Sequence, residues 1–98
     1  MHFSAIEDVR KHIDQIDIEL VKIITQRAEC VKAAARFKTD HSAVRAPDRV
    51  QQVIDKVRAT ASTTGLPEVI IEKTYRAMID AFIDYEIEQH DGLQQDKN

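Results

Sequence analysis

The chain has 98 residues, 14 Lys and Arg against 17 Asp and Glu, a formal net charge of -3, two Gly, two Pro and one Cys. That length holds one small domain, the charge balance leaves no overall basic footprint for nucleic acid or an anionic membrane, and one Cys excludes an internal disulfide framework, which fits a reducing, cytoplasmic setting. No apolar run reaches the roughly eighteen residues of a membrane span, no secretory leader pattern opens at Met1-His2-Phe3-Ser4, and two Gly and two Pro are too few to turn an all-β chain.

An all-α chain of three helices is therefore expected, forming a single domain over residues 1–98. Ser4-Ala5-Ile6-Glu7 has the Ser-x-x-Glu form of a capping box. From there Val9, Ile13, Ile16, Leu20, Ile23, Arg27, Cys30 and Ala34 alternate spacings of four and three, the period of a helix rather than a strand. The pattern predicts a first helix over 4–38, with acids (Glu7, Asp8) near its start and bases (Lys32, Arg36, Lys38) near its end. Cys30 reads as a small core residue on that helix. Residues 39–46 are polar and aperiodic and read as a loop. Pro47 suits the first position of a second helix, Val50, Val53, Ile54 and Val57 give it an apolar face, and Gly65 ends it as a C′ residue. Pro67 opens a third helix whose stripe runs Ile71, Tyr75, Met78, Phe82, Glu86. Residues 91–98 read as a polar, frayed tail.

The first helix is too long for a lone small domain. Residues 4–38 would extend roughly 50 Å, against a radius of gyration of about 13 Å for a compact chain of this size. A second copy is the simplest cover for its apolar stripe, so a homodimer built on the first helix is expected.

Arg27 and Glu86 break the apolar stripes they fall on. Lys38 lies eleven residues after Arg27; on one continuous helix that is a rotation of about 20° and a rise of about 16 Å. Arg27 and Lys38 would then share a face and leave a gap suited to a small dianion, with a planar fork for one carboxylate and a point charge for the other. Arg27 and Glu86 can equally be a structural ion pair between helices. Arg10 lies seventeen residues before Arg27, roughly 25 Å away and about 100° round the helix, so it can serve the same pocket only from a partner chain. His2, His12, His41 and His90 share no i, i+4 spacing and no metal-ligand pattern, so no metal is expected. Nor is there a Gly-rich phosphate loop or a nucleophile set.

The run Asp8-Val9-Arg10, Ile13-Asp14-x-Ile-Asp17, Arg27, Val31-Lys32-Ala33-Ala34-x-Arg36-Phe37-Lys38 and Ala46-Pro47-x-Arg49-Val50 resembles the all-helical chorismate mutase family over about residues 6–90. Within it the resemblance is to the isochorismate pyruvate-lyase branch, which makes salicylate for siderophores. It implies an intertwined dimer of three-helix chains with two shared sites and no cofactor. Carried over by position, Arg10 of the partner chain and Arg27 would bind substrate carboxylates. Lys38 would contact a carboxylate and the ether oxygen of the enolpyruvyl group, Arg49 would add a contact, and Glu86 would approach that oxygen from the other side. Residues 39–46 would form a lid.

The mutases have Glu after the Arg at the start of the second helix, to receive the C4 hydroxyl of chorismate. Val50 stands there, which cannot accept a hydrogen bond, whereas isochorismate carries its hydroxyl at C2. The resemblance thus favours the lyase as main activity, with a weak mutase side activity. A main mutase activity and a catalytically idle dimerisation or regulatory module remain the alternatives. Glu86 stands where the family has Gln; a protonated acid can donate to an ether oxygen and a carboxylate would repel it, so activity is expected to fall as pH rises. Arg45 replaces the proline of the lyase branch and is expected to loosen the lid. Lys38→Ala is expected to lower turnover far more than folding.

Overall fold

A computed structural model describes residues 2–96, with side chains through Leu93. The chain is all-α: α1 (Ile6–Ala34), a 3-10 turn (Ala35–Phe37), α2 (His41–Arg45), α3 (Pro47–Thr64) and α4 (Glu68–Asp96). The three predicted helices are present as α1, α3 and α4, and the described residues include no strand. Two compact units divide the chain, residues 1–30 and 31–98.

The first unit is a helix opened differently from the capping-box expectation. Ser4 Oγ donates to Asp8 Oδ2 at 2.7 Å, Glu7 instead pairs with Arg10, and the Ala5 carbonyl accepts the Asp8 and Val9 amides. The helix therefore starts two residues later than predicted. A short hydroxyl facing an acid one turn on is satisfied by the side chain and leaves the amides to Ala5. No described residue of α1 is buried, and Ile6, Ile13, Ile16, Ile18, Leu20, Val21 and Ile23 are all exposed. Cys30 is exposed as well, so it is not a core residue of the single chain.

The second unit is organised by α4. Helices α3 and α4 pack together, and α4 also packs on the 3-10 turn and on α2. The apolar stripe of α3 lies as predicted: Ile54 is wholly buried, Val50, Val53 and Val57 are half-buried, and Ala61 extends the stripe by one turn. Gly65 closes α3 at φ 83 with its amide donating to the Ala61 carbonyl, joined there by Leu66 N–H at 3.2 Å. A left-handed C′ position of this kind is open to glycine without steric cost. Ser62, Thr63 and Thr64 hydroxyls fold back on the carbonyls of Ala59, Thr60 and Ala61. Arg58 bridges to Glu68 and Glu72 across the hairpin.

Helix α4 continues through Asp96, past the point where the polar composition predicts fraying; Lys97 and Asn98 of that expected tail lie outside the described residues. His90 is buried and Asp91 is hydrogen-bonded to His41, so tertiary contacts hold the turn where the tail was expected to begin. The described core of the second unit is thin: Ala35, Val44, Ile54, Ala61 and Ile79, with the polar Glu86 and His90.

Candidate active site

The predicted lid is a short helix rather than an irregular loop. Asp40 takes extended backbone (φ -156, ψ 177) and its carboxylate accepts the Ala43 amide at 2.8 Å, a side-chain N-cap. Five residues follow in α2, with Val44 buried beneath them. Ala46 then sits at φ 37, ψ 64 and opens α3 immediately before Pro47. The residue before a proline is disfavoured in the right-handed helical region, so α2 and α3 cannot merge. The aperiodic pattern hid α2 because five residues contain barely one helical turn.

The predicted face of Lys38 is corrected as well. Helix α1 ends at Ala34 and the chain tightens through Ala35–Phe37, leaving Lys38 extended at φ -100, ψ 135 as the cap of that turn, its amide donating to the Ala35 carbonyl. Lys38 is therefore off the helix, and the rotation that would put it on one helical face with Arg27 does not apply.

Lys38 and Glu86 are brought together. Lys38 Nζ lies 2.8 Å from Glu86 Oε2, with Glu86 only 6% exposed; the approach lacks the alignment of a hydrogen bond. A carboxylate this far from water requires a compensating cation, and the lysine, whose side chain keeps about a quarter of its surface open, supplies it. Lys38 is thus a partner of the buried stripe as well as a lid-side cation, contrary to the expectation that it adds little to folding.

One turn beyond Glu86, His90 continues the same stripe at 5% exposure. Its Nε2 lies 3.0 Å from the Lys38 carbonyl; a carbonyl only accepts, so Nε2 carries the proton. His41 of α2 places Nε2 2.8 Å from Asp91 Oδ1, and this hydrogen bond holds the Asp91 carboxyl below the usual carboxylate range. His41 and His90 meet edge to face with ring centroids 5.9 Å apart. Neither histidine was singled out by spacing, although His90 falls four residues after Glu86 on the stripe. Their approach joins positions 49 residues apart, which no local period reveals.

The remaining candidates are described by their own elements. Arg10 and Arg27 are on α1 in the first unit; Arg10 is exposed and pairs with Glu7 at 3.2 Å, and Arg27 is half-buried. Arg49 is exposed in the first turn of α3, its Nη1 3.4 Å from Gln52 Oε1, and Val50 beside it is half-buried. Arg45 ends α2, exposed. An open cleft of the second unit is lined by Lys32, Arg36, Glu88, Gln89, Gly92 and Leu93 and contains none of the predicted site residues.

Chemically, Lys38 offers a mobile ammonium for an anion or an ether oxygen, and Glu86 offers a carboxyl on the same spot. No described helix is long and apolar enough to cross a membrane. Comparison with known proteins then gives the family. The model for chorismate mutase type II matches residues 9–87. Isochorismate pyruvate lyase of Pseudomonas aeruginosa is 32% identical over 80 residues, covering 82% of this chain and 79% of that protein. T-protein of Haemophilus influenzae is 30% identical over 74 residues, covering 74% of this chain but only 20% of that protein. With the all-helical fold and the match spanning most of its length, the chain belongs to the chorismate mutase type II family.

Proposed function

We propose that this protein is an isochorismate pyruvate-lyase that works as a homodimer, releasing salicylate and pyruvate, with chorismate mutase as a weak side reaction. The observation that carries the lyase over the mutase is Val50: half-buried beside Arg49 in the first turn of α3, it has no acceptor for the C4 hydroxyl of chorismate. A polar substrate group set against an apolar side chain loses its hydrogen bond with water and gains none. The likeness to a relative named isochorismate pyruvate lyase supports the same choice.

The reaction asks the protein for position and electrostatics. The ether C–O bond to the ring breaks while a ring hydrogen passes to the enolpyruvyl CH2, giving the methyl of pyruvate and an aromatic salicylate. No bond to the protein is needed. Arg27, Arg49 and Arg10 of the partner would hold the carboxylates and fold the enolpyruvyl arm over the ring. Lys38 would turn from Glu86 to the ether oxygen, where negative charge develops as the bond breaks. A site shared between chains is expected to be incomplete in one chain.

A dianion binding beside a carboxylate is repelled, whereas an amide at the same place can donate to the ether oxygen. Glu86→Gln is therefore expected to raise kcat/KM; an unchanged value would remove Glu86 from the site. Incubating purified protein with isochorismate and with chorismate tests the reading itself. Salicylate fluorescence from isochorismate at a rate far above prephenate formation is the expected result. Prephenate as the dominant product would make the protein a mutase, and neither product would leave the idle-module alternative.

A further inference from the structure

His41, His90 and Asp91 converge in the second unit, each offering one ligand atom, and these atoms all lie within 4.8 Å of one another. Two separations are known: His41 Nε2 to Asp91 Oδ1 is 2.8 Å, and His90 Nδ1 to the same oxygen is 3.8 Å. Ligands of a tetrahedral zinc, at about 2.0–2.1 Å from the metal, stand roughly 3.3 Å apart. The first separation needs to open and the second to close by about half an ångström each. His41 and Asp91 are half-exposed, so their side chains are free to make that adjustment.

His90 supplies an independent observation. It is buried, and its Nδ1 has no hydrogen-bond partner. With Nε2 donating to the Lys38 carbonyl at 3.0 Å, the neutral ring must present a bare lone pair at Nδ1. At 3.8 Å, Asp91 Oδ1 is too far for a hydrogen bond even from a protonated ring. A buried lone pair without a donor costs stability, and a metal ion is the acceptor of lone pairs that would remove that cost. One ring nitrogen fixed by a backbone carbonyl while the other faces its neighbours is also the arrangement by which proteins orient metal-bound histidines.

We propose that His41, His90 Nδ1 and Asp91 form a site for one divalent first-row transition ion, Zn2+ in the first place. Two imidazoles and one carboxylate are borderline donors suited to that class rather than to Mg2+ or Ca2+, which take oxygen. Three protein ligands leave a fourth position for water. The ion joins α2 to α4 beside their exposed His41–Asp91 hydrogen bond and His41–His90 ring contact, and through His90 it buttresses the backbone of Lys38. It is a structural clamp on the lid, separate from the pericyclic chemistry.

Titration of untagged, metal-stripped protein with Co2+ tests this without reference to turnover. The expected result is the visible absorption of tetrahedral Co2+, saturating at about one ion per chain and displaced by Zn2+. His41→Ala and Asp91→Asn alter exposed side chains and should fold; each is expected to weaken binding by more than about tenfold. Saturating Zn2+ should raise Tm of the parent protein and leave that of His41→Ala unmoved. Absence of saturable binding, unchanged affinity in both variants, or loss of the signal in Cys30→Ser would each overturn the proposal.

Discussion

In the proposed lyase the Lys38–Glu86 pair would bind stability to catalysis, and a single substitution would not separate them. Removing the ammonium leaves a carboxylate at 6% exposure without its cation. Breaking a buried pair in this way costs about 3–5 kcal/mol, reduced here because Lys38 is partly open to solvent. Lys38→Ala is therefore expected to lower the unfolding free energy by about 2 kcal/mol, read from the urea midpoint, and kcat by about 10²- to 10³-fold. The double variant Lys38→Ala/Glu86→Gln removes both charges; it should recover most of the stability and none of the activity. A double variant as unstable as the single one would show that the pair is not the source of the loss. Val50 belongs to the same scale: Val50→Glu restores an acceptor beside Arg49 and is expected to shift the ratio of prephenate to salicylate toward prephenate by about tenfold or more.

At the scale of elements, α2, the proposed lid, depends on its two ends. Asp40 caps α2 through the Ala43 amide, and Ala46 holds a left-handed conformation at φ 37. Asp40→Ala should cost about 1 kcal/mol, concentrated in a helix of only five residues. Faster hydrogen exchange at the Ala43 amide with little change in global Tm is the expected signature. Ala46→Val adds β-branching where φ is positive and is expected to lower the urea midpoint further, beyond the Cβ penalty that alanine already carries. Gly65 sits under the same constraint between α3 and α4; Gly65→Ala should lower stability by about 1 kcal/mol in chemical denaturation, although nothing stands within 4 Å of the added Cβ. That loss would arise from backbone strain alone.

At the scale of the whole molecule, the exposed Ile and Leu residues of α1 and the thin described core of the second unit both favour a partner. A chain of 11.2 kDa is expected to sediment at twice that mass, and Ile16→Glu on the exposed stripe to return it to the single-chain mass with loss of activity. The proposed sharing of the site has its own readout. Arg10→Ala and Lys38→Ala proteins, each expected to be inactive, would form mixed dimers in which one of two sites is intact. Random reassortment makes half the dimers mixed, so about a quarter of full activity should return. No recovery would place Arg10 and Lys38 in a site formed within one chain.

Helical periods, Pro47, Gly65 and the stripe of α3 were legible from residue types alone, because each depends on neighbours within a few positions. So was the family, through Arg10, Arg27, Lys38, Arg49 and the Ala-Pro element, and Glu86 stood out as a charge on an apolar face. What the periodicity missed is where local preference meets a competitor. Asp40 captures the chain for a new helix, and the 3-10 turn after Ala34 takes Lys38 off the helical face on which its spacing from Arg27 would place it. The pairing of Lys38 with Glu86, and of His41 with His90 and Asp91, joins residues about fifty positions apart. Such neighbours exist only once α4 packs on the turn and on α2, since burial against other elements decides which polar groups must find each other.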